Sequence, residues 1–208
     1  GLISPGQGYT GHATMTLPRD LSGDYYVIVD TSTNRSVFED GHTANNSRAS
    51  VATLHIDLAP VADLTVSGVT GPTVLRPGDA ATVSYSVGNQ GGFGLTGSWR
   101  DRIYVDSGTG LIEVGNLFST DGLAIGAVKS RSVTFTLPTW LPDGDYHWVV
   151  KTDTDNTVYE RDAASNNQAS SAASLKVARI DLAVSEVSGP GLVQSGDSLH
   201  ASWKVLNQ

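Results

Sequence analysis

Apolar side chains fall at every second position through much of this chain. Leu64 and Val66 share a face, followed by Ala81, Val83, Tyr85 and Val87, then by Trp99, Ile103 and Val105. The same alternation runs through Val133, Phe135 and Leu137, through Tyr146, Trp148 and Val150, and through Leu175 and Val177. A period of two is the pattern of strands with one face in a core and the other in water. Between these runs stand Arg76-Pro77-Gly78-Asp79, Asn89-Gln90-Gly91-Gly92, Asp106-Ser107-Gly108 and Leu141-Pro142-Asp143-Gly144, rich in residues that set the angles of a chain reversal. No window of about 12 residues shows apolar spacing of 3.6 with caps at both ends. The pattern predicts an all-β fold of seven or so short strands per domain, an immunoglobulin-like β-sandwich, with a jelly roll as the rival. One position is awkward: Asp101 shares the inner face of Trp99 and Ile103, where a bare carboxylate is costly. Either a bulge turns it outward, or it is buried and hydrogen-bonded, with Arg100 or Arg102 as the nearest partner.

The pattern also repeats. Met15-Thr16-Leu17-Pro18 returns as Phe135-Thr136-Leu137-Pro138, 120 positions on. Gly23-Asp24-Tyr25, Val37-Phe38-Glu39 and Asn45-Asn46 return 121 positions on as Gly144-Asp145-Tyr146, Val158-Tyr159-Glu160 and Asn166-Asn167. Asp63-Leu64, Gly71-Pro72, Gly78-Asp79 and Asn89-Gln90 return 118 positions on, at Asp181-Leu182, Gly189-Pro190, Gly196-Asp197 and Asn207-Gln208. The expected division is a C-terminal half-repeat at 1–60, a complete repeat at 61–178 and the opening strands of a third at 179–208. Gly23-Asp24-Tyr25 and Gly144-Asp145-Tyr146 each fit a tyrosine corner, in which the phenol bonds back to the preceding crossover. In the third piece, Leu199, Ala201, Trp203 and Val205 are expected to form the core face, which is exposed where the hairpin stands alone. Two strands with such a face are marginal in water, which leaves two expectations: strand exchange between chains, joining residues 1–60 of one molecule to the tail of another in a composite that still lacks the stretch matching about 91–121, or a chain that is an excerpt of a longer protein.

Composition narrows the function. A formal charge of −8 with 13 scattered Lys and Arg argues against nucleic acid, which needs clustered cations. With no cysteine, disulfides and thiolate chemistry are excluded. No apolar run reaches the roughly 18 residues of a membrane span, and residues 1–11 show no signal peptide, although a piece of a longer exported chain would also lack one. Two GxGxxG strings, at 6–11 and 92–97, are followed by strand-like segments instead of the helix a dinucleotide site needs. The five histidines form no HExxH or other zinc spacing. There is no GxSxG. Asn34-Arg35-Ser36 and Asn45-Asn46-Ser47 fit the glycosylation pattern, a short motif read here as coincidence. The expectation is that this is not an enzyme.

Calcium is the one cofactor to weigh. Asp153, Asp155, Glu160 and Asp162, with Asn156, Asn166 and Asn167 beside them, concentrate hard oxygen ligands. In an immunoglobulin-like sandwich they fall at the pole where the first strand begins, near 57–63, where a cation would stiffen the joint. Asp and Asn also simply make turns: Asp155-Asn156 would close a short hairpin and Asn166-Asn167 cap a bend. The spacing matches no EF-hand loop.

Several of these pieces together resemble the CARDB family, the cell-adhesion-related repeat of bacterial surface proteins. They are Ala62-Asp63-Leu64-Thr65-Val66 with Gly71-Pro72, Val83-Ser84-Tyr85-Ser86-Val87 leading to Asn89-Gln90-Gly91, the run from Ser98 through Val105, Gly144-Asp145-Tyr146, and Val158-Tyr159-Glu160 with Asn166-Asn167. The resemblance implies a β-sandwich serving as a non-catalytic spacer or adhesive unit of an extracellular or cell-surface protein, without catalytic residues to carry over. Its expected partners are neighbouring repeats of the same chain, with a host, matrix or carbohydrate ligand open. Two alternatives stay beside it: a sugar- or protein-binding module using Phe93, Trp140 or Tyr104, and an accessory domain of a secreted hydrolase.

Overall fold

The computed structural model describes residues 3–34 and 37–207, in two compact units, Gly1–Pro60 and Val61–Gln208. Arg35 and Ser36 of the first glycosylation pattern and Gln208 of the last repeated dipeptide lie outside the described residues, as do Gly1 and Leu2. Among the described residues the helical content is a single 3-10 turn, Ala164–Asn166.

In the first unit, β1 (Gly23–Tyr25) pairs antiparallel with β4 (Leu54–Ile56), and β2 (Ile28–Asp30) pairs antiparallel with β3 (Ser47–Ala49). The two short ladders are joined where Ser50 Oγ accepts the Val27 N–H at 3.2 Å and donates to Ala52 O at 2.7 Å. Val27, Ile28 and Val29 are exposed.

The second unit holds the core. Its strands are β5 (Leu64–Thr70), β6 (Val74–Leu75), β7 (Ala80–Asn89), β8 (Trp99–Asp106), β9 (Leu111–Ser119), β10 (Val128–Thr136), β11 (Gly144–Lys151) and β12 (Gln168–Val177). They form a three-stranded sheet, β10-β7-β5, and a five-stranded sheet, β6-β12-β11-β8-β9. All pairings are antiparallel except β6 with β12. This is the immunoglobulin order, in which the first strand, the second and the one after the crossover share a sheet; a jelly roll has a different order. Tyr146 closes the tyrosine corner, its hydroxyl donating to Pro142 O at 2.9 Å, and Tyr25 does the same to Ser22 O at 3.0 Å.

The alternation read from the sequence lines the interior. Leu64, Val66, Ala81, Val83, Tyr85 and Val87 of one sheet face Trp99, Ile103, Val105, Trp148, Val150 and Leu175 of the other, all buried. Trp148 meets the edge of Phe135 at 6.0 Å between ring centroids, and its Nε1 donates to Pro72 O at 3.0 Å. Gly71 leaves room for that indole, since a Cβ there would stand 2.6 Å from Nε1. Burial of such large side chains supplies roughly 1.5–3 kcal/mol each.

The tail is shorter in strand than expected, and its apolar face is exposed as expected for a lone hairpin. β13 (Leu182–Ser188) pairs antiparallel with β14 (Ser202–Asn207). Leu199 and Ala201 precede β14 instead of extending it, and Leu199, Trp203 and Val205 are exposed. In the sandwich, β7 is flanked on both sides and faces a second sheet; among the described residues β14 has β13 alone as its strand neighbour.

Candidate functional site

The connection between β11 and β12, residues 152–167, sits at the pole where β5 begins and β7 ends. It is a long loop, not the short hairpin that Asp155-Asn156 suggested, because its polar side chains bond back to its own backbone and to β5. Asp153 is buried, with a positive φ of 46°. Its Oδ1 accepts the N–H and the hydroxyl of Thr157, both at 2.9 Å, and its Oδ2 accepts the Val158 N–H at 3.0 Å. Asp155 points elsewhere: Arg100 Nε and Arg102 Nη2 of β8 each donate to it at 2.9 Å. Glu160 is buried and accepts from the Leu64 N–H and from Asn167 Nδ2. Asp162 is exposed and lines an open groove of ≈ 460 Å³ with Ala62, Asp63, Gly91 and Glu160.

Burial pushes the Glu160 carboxyl above its usual range, opposed by the Leu64 and Asn167 donors and reinforced by the charges of Asp153 and Asp63. The loop thus brings Asp153, Glu160 and Asp63 into electrostatic reach and leaves Asp155 on the outer face of β8. The acceptor oxygens of Asp153, Asp155 and Glu160 are engaged by protein donors, and among the described residues no three His, Cys, Asp or Glu converge on a metal position.

Two further groups stand near this pole, one missed by the sequence pattern and one whose partners it misassigned. Asn89, at 1 % exposure, is the hub of this pole. Its Oδ1 accepts from the N–H groups of Asp63 and Gly91, both at 3.1 Å, and its Nδ2 donates to Phe93 O and Leu123 O at 2.8 and 3.2 Å. The signal for it was its recurrence in Asn89-Gln90 and Asn207-Gln208. The other is the bonding of Asp101, fully buried on the inner face of β8. Its partners are the Tyr85 hydroxyl at 2.9 Å and the Thr152 hydroxyl at 2.6 Å, not Arg100 or Arg102. The correction follows from the pleat: sequence neighbours on a strand point to the opposite face.

Equivalent bonds recur along the chain. Asn167 Nδ2 donates to Glu160 as Asn46 Nδ2 does to Glu39. The Thr152 N–H donates to Asn167 O as Thr31 does to Asn46 O. Ser171 Oγ accepts the Trp148 N–H as Ser50 Oγ accepts that of Val27. The Asp181 N–H donates to Asn207 Oδ1 as Asp63 does to Asn89 Oδ1.

The aromatic residues considered for ligand binding do not form one patch. Phe93 is exposed in the β7–β8 connection at the pole described above, and Trp140 is exposed in the β10–β11 connection at the opposite pole. Tyr104 lies on β8 with Lys151 Nζ 5.8 Å from its ring centroid. No helix among the described residues is long and apolar enough to cross a membrane.

The family model described as CARDB matches residues 61–171. Among solved structures, the crystal structure of the CARDB domain of the PF1109 protein from Pyrococcus furiosus, in complex with di-metal ions, is 25% identical, covers 57% of this chain and 90% of its own, and has a TM-score of 0.42. The solution structure of that domain is 27% identical over 56% of this chain and 95% of its own, with a TM-score of 0.40. A β-glucosidase from Listeria innocua in complex with glucose is 13% identical over 56% of this chain and 16% of its own, with a TM-score of 0.38. No curated protein matches significantly.

Proposed function

Because the chain belongs to the CARDB family, whose modules are non-catalytic and structural or adhesion-related, we propose that it is a spacer or adhesive repeat of a bacterial extracellular or cell-surface protein. In this reading residues 1–60 are the second half of one immunoglobulin-like repeat, 61–178 a complete repeat and 179–208 the start of the next. The observation that carries it is the recurrence of the Glu39–Asn46 bond at Glu160–Asn167 and of the Asp63–Asn89 bond at Asp181–Asn207. Small-angle scattering of three tandem copies of residues 61–178 tests it. The expected maximum dimension grows by a constant increment per copy, and a particle that stays compact as copies are added overturns the spacer reading.

A carbohydrate- or protein-binding module is the alternative. Saturable binding of a polysaccharide or matrix protein at a Kd below about 1 mM, lost on substituting Phe93, Trp140 or Tyr104, would favour it. Calcium is a second reading of the same pole for Asp153, Glu160 and Asp162, supported by the oxygen ligands they gather there with Asp63; Asp155, held by Arg100 and Arg102, drops out of the set. The expected outcome is a higher melting midpoint in millimolar calcium, reduced in Asp162→Asn; an unchanged midpoint removes this reading.

A further inference from the structure

We propose that Arg179 is a joint clamp, fixing the direction in which the chain leaves the sandwich so that the following module is carried rigidly with it. β12 is held by its neighbour to its last residue: the Lys176 N–H donates to Thr73 O at 2.8 Å and the Ala178 N–H to Leu75 O at 3.2 Å. The next residue is gripped through backbone and side chain together. The Arg179 N–H donates to Asp143 Oδ2 at 3.2 Å, Nη1 pairs with Asp143 Oδ1, and Nη2 donates to Thr139 O at 3.1 Å and Leu141 O at 2.9 Å.

The receiving loop is itself well anchored. Leu137 and Leu141 have no exposed surface, the Leu141 N–H donates to Pro138 O at 3.1 Å, and the Tyr146 hydroxyl closes on Pro142 O at 2.9 Å. Prolines at 138 and 142 restrict it further. Beyond the clamp, the Asp181 N–H donates to Asn207 Oδ1 at 2.8 Å. A single residue, Ile180, separates the two anchored positions, leaving few backbone dihedrals to bend the joint. The planar guanidinium is suited to this work because its fixed fork reaches a carboxylate and two carbonyls at once, which an ammonium group does not reproduce.

The clamp is particular to this joint. Three residues lie between Val177 and Asp181, whereas six lie between their counterparts Ile56 and Asp63, and the counterpart of Asp143 is Ser22, which has no carboxylate. The purpose assigned to the clamp rests on the spacer reading; its existence does not. A module that proved to bind a saccharide would leave the clamp measurement below unaffected, so the two failures are distinguishable.

The test is ¹⁵N relaxation of the full 208-residue protein. Amides of β13 are expected to show the same R2/R1 ratio as those of β11 and β12. Arg179→Ala and Asp143→Asn should each lower the β13 ratio by at least about twofold as the hairpin gains independent motion. Arg179→Lys should loosen it in the same direction, while unchanged indole N–H resonances of the buried Trp99 and Trp148 report an intact sandwich. Independent tumbling of β13 in the unsubstituted protein, or an unchanged ratio in both Arg179→Ala and Asp143→Asn, overturns the proposal. Should Arg179→Ala fail to fold, Asp143→Asn decides, because it leaves the two carbonyl bonds in place.

Discussion

Asp101 has no exposed surface and is held by two hydroxyls, one from the opposite sheet and one from Thr152, the first residue after β11. Tyr85→Phe deletes one of these charge-assisted bonds and is expected to cost about 1.5–3 kcal/mol in urea unfolding. A loss within error would mean that Thr152 alone satisfies the carboxylate. The alternation placed Asp101 inside, but its partners were not legible, because they lie 16 and 51 positions away and meet only after the sheets pack. Burial raises the pKa of Asp101 and of Glu160, so the folded protein holds these protons more tightly than the unfolded chain. Their contribution to stability is complete below the usual carboxylate range of about pH 4 and is lost as pH rises through the folded values. Asp121 acts in the opposite sense: Arg131 and Lys129 lower it, so its contribution is present above about pH 4 and lost as pH falls. Glu160→Gln is expected to flatten the decline above pH 4, measured as melting midpoints across a pH series. An unaltered slope would remove Glu160 from that account.

At the scale of elements, turns and breaks in the ladders are set by close approaches. Gly91 lies against the start of the second unit, where a Cβ would stand 2.3 Å from Val61 O. Gly91→Ala must displace backbone and is expected to cost about 1–3 kcal/mol, read from the denaturation midpoint; a neutral effect would show that residues 61–63 yield freely. The register shift between His147 and Val149 buries Val149 beside Trp148, which strict alternation does not anticipate. Ser171 Oγ supplies the acceptor for the Trp148 N–H at that break. β9 was the strand least visible in the sequence. Gly115 interrupts its apolar pattern because a Cβ there would meet the Phe135 ring at 2.7 Å, and the register shifts beside it.

For the whole molecule, the period of two was enough to identify an all-β sandwich, since alternating burial is a local property of each strand. The exposed face of β14 agrees with that reading, because a strand buries its apolar side only where another sheet covers it. The loop at 152–167 and the grip of Arg179 depend on contacts between distant parts of the chain and left no periodic trace.

The short strand β6 is placed to resist tension applied between the ends of the sandwich. It runs parallel to β12, while β5 begins at one pole and β12 ends at the other. Stretching the chain between those poles therefore loads the bonds from Lys176 to Thr73 and from Ala178 to Leu75 in shear, so that they resist together instead of opening one after another. Ala178→Pro removes the second donor and is expected to lower the rupture force in single-molecule extension. An unchanged force would place the mechanical barrier in another ladder.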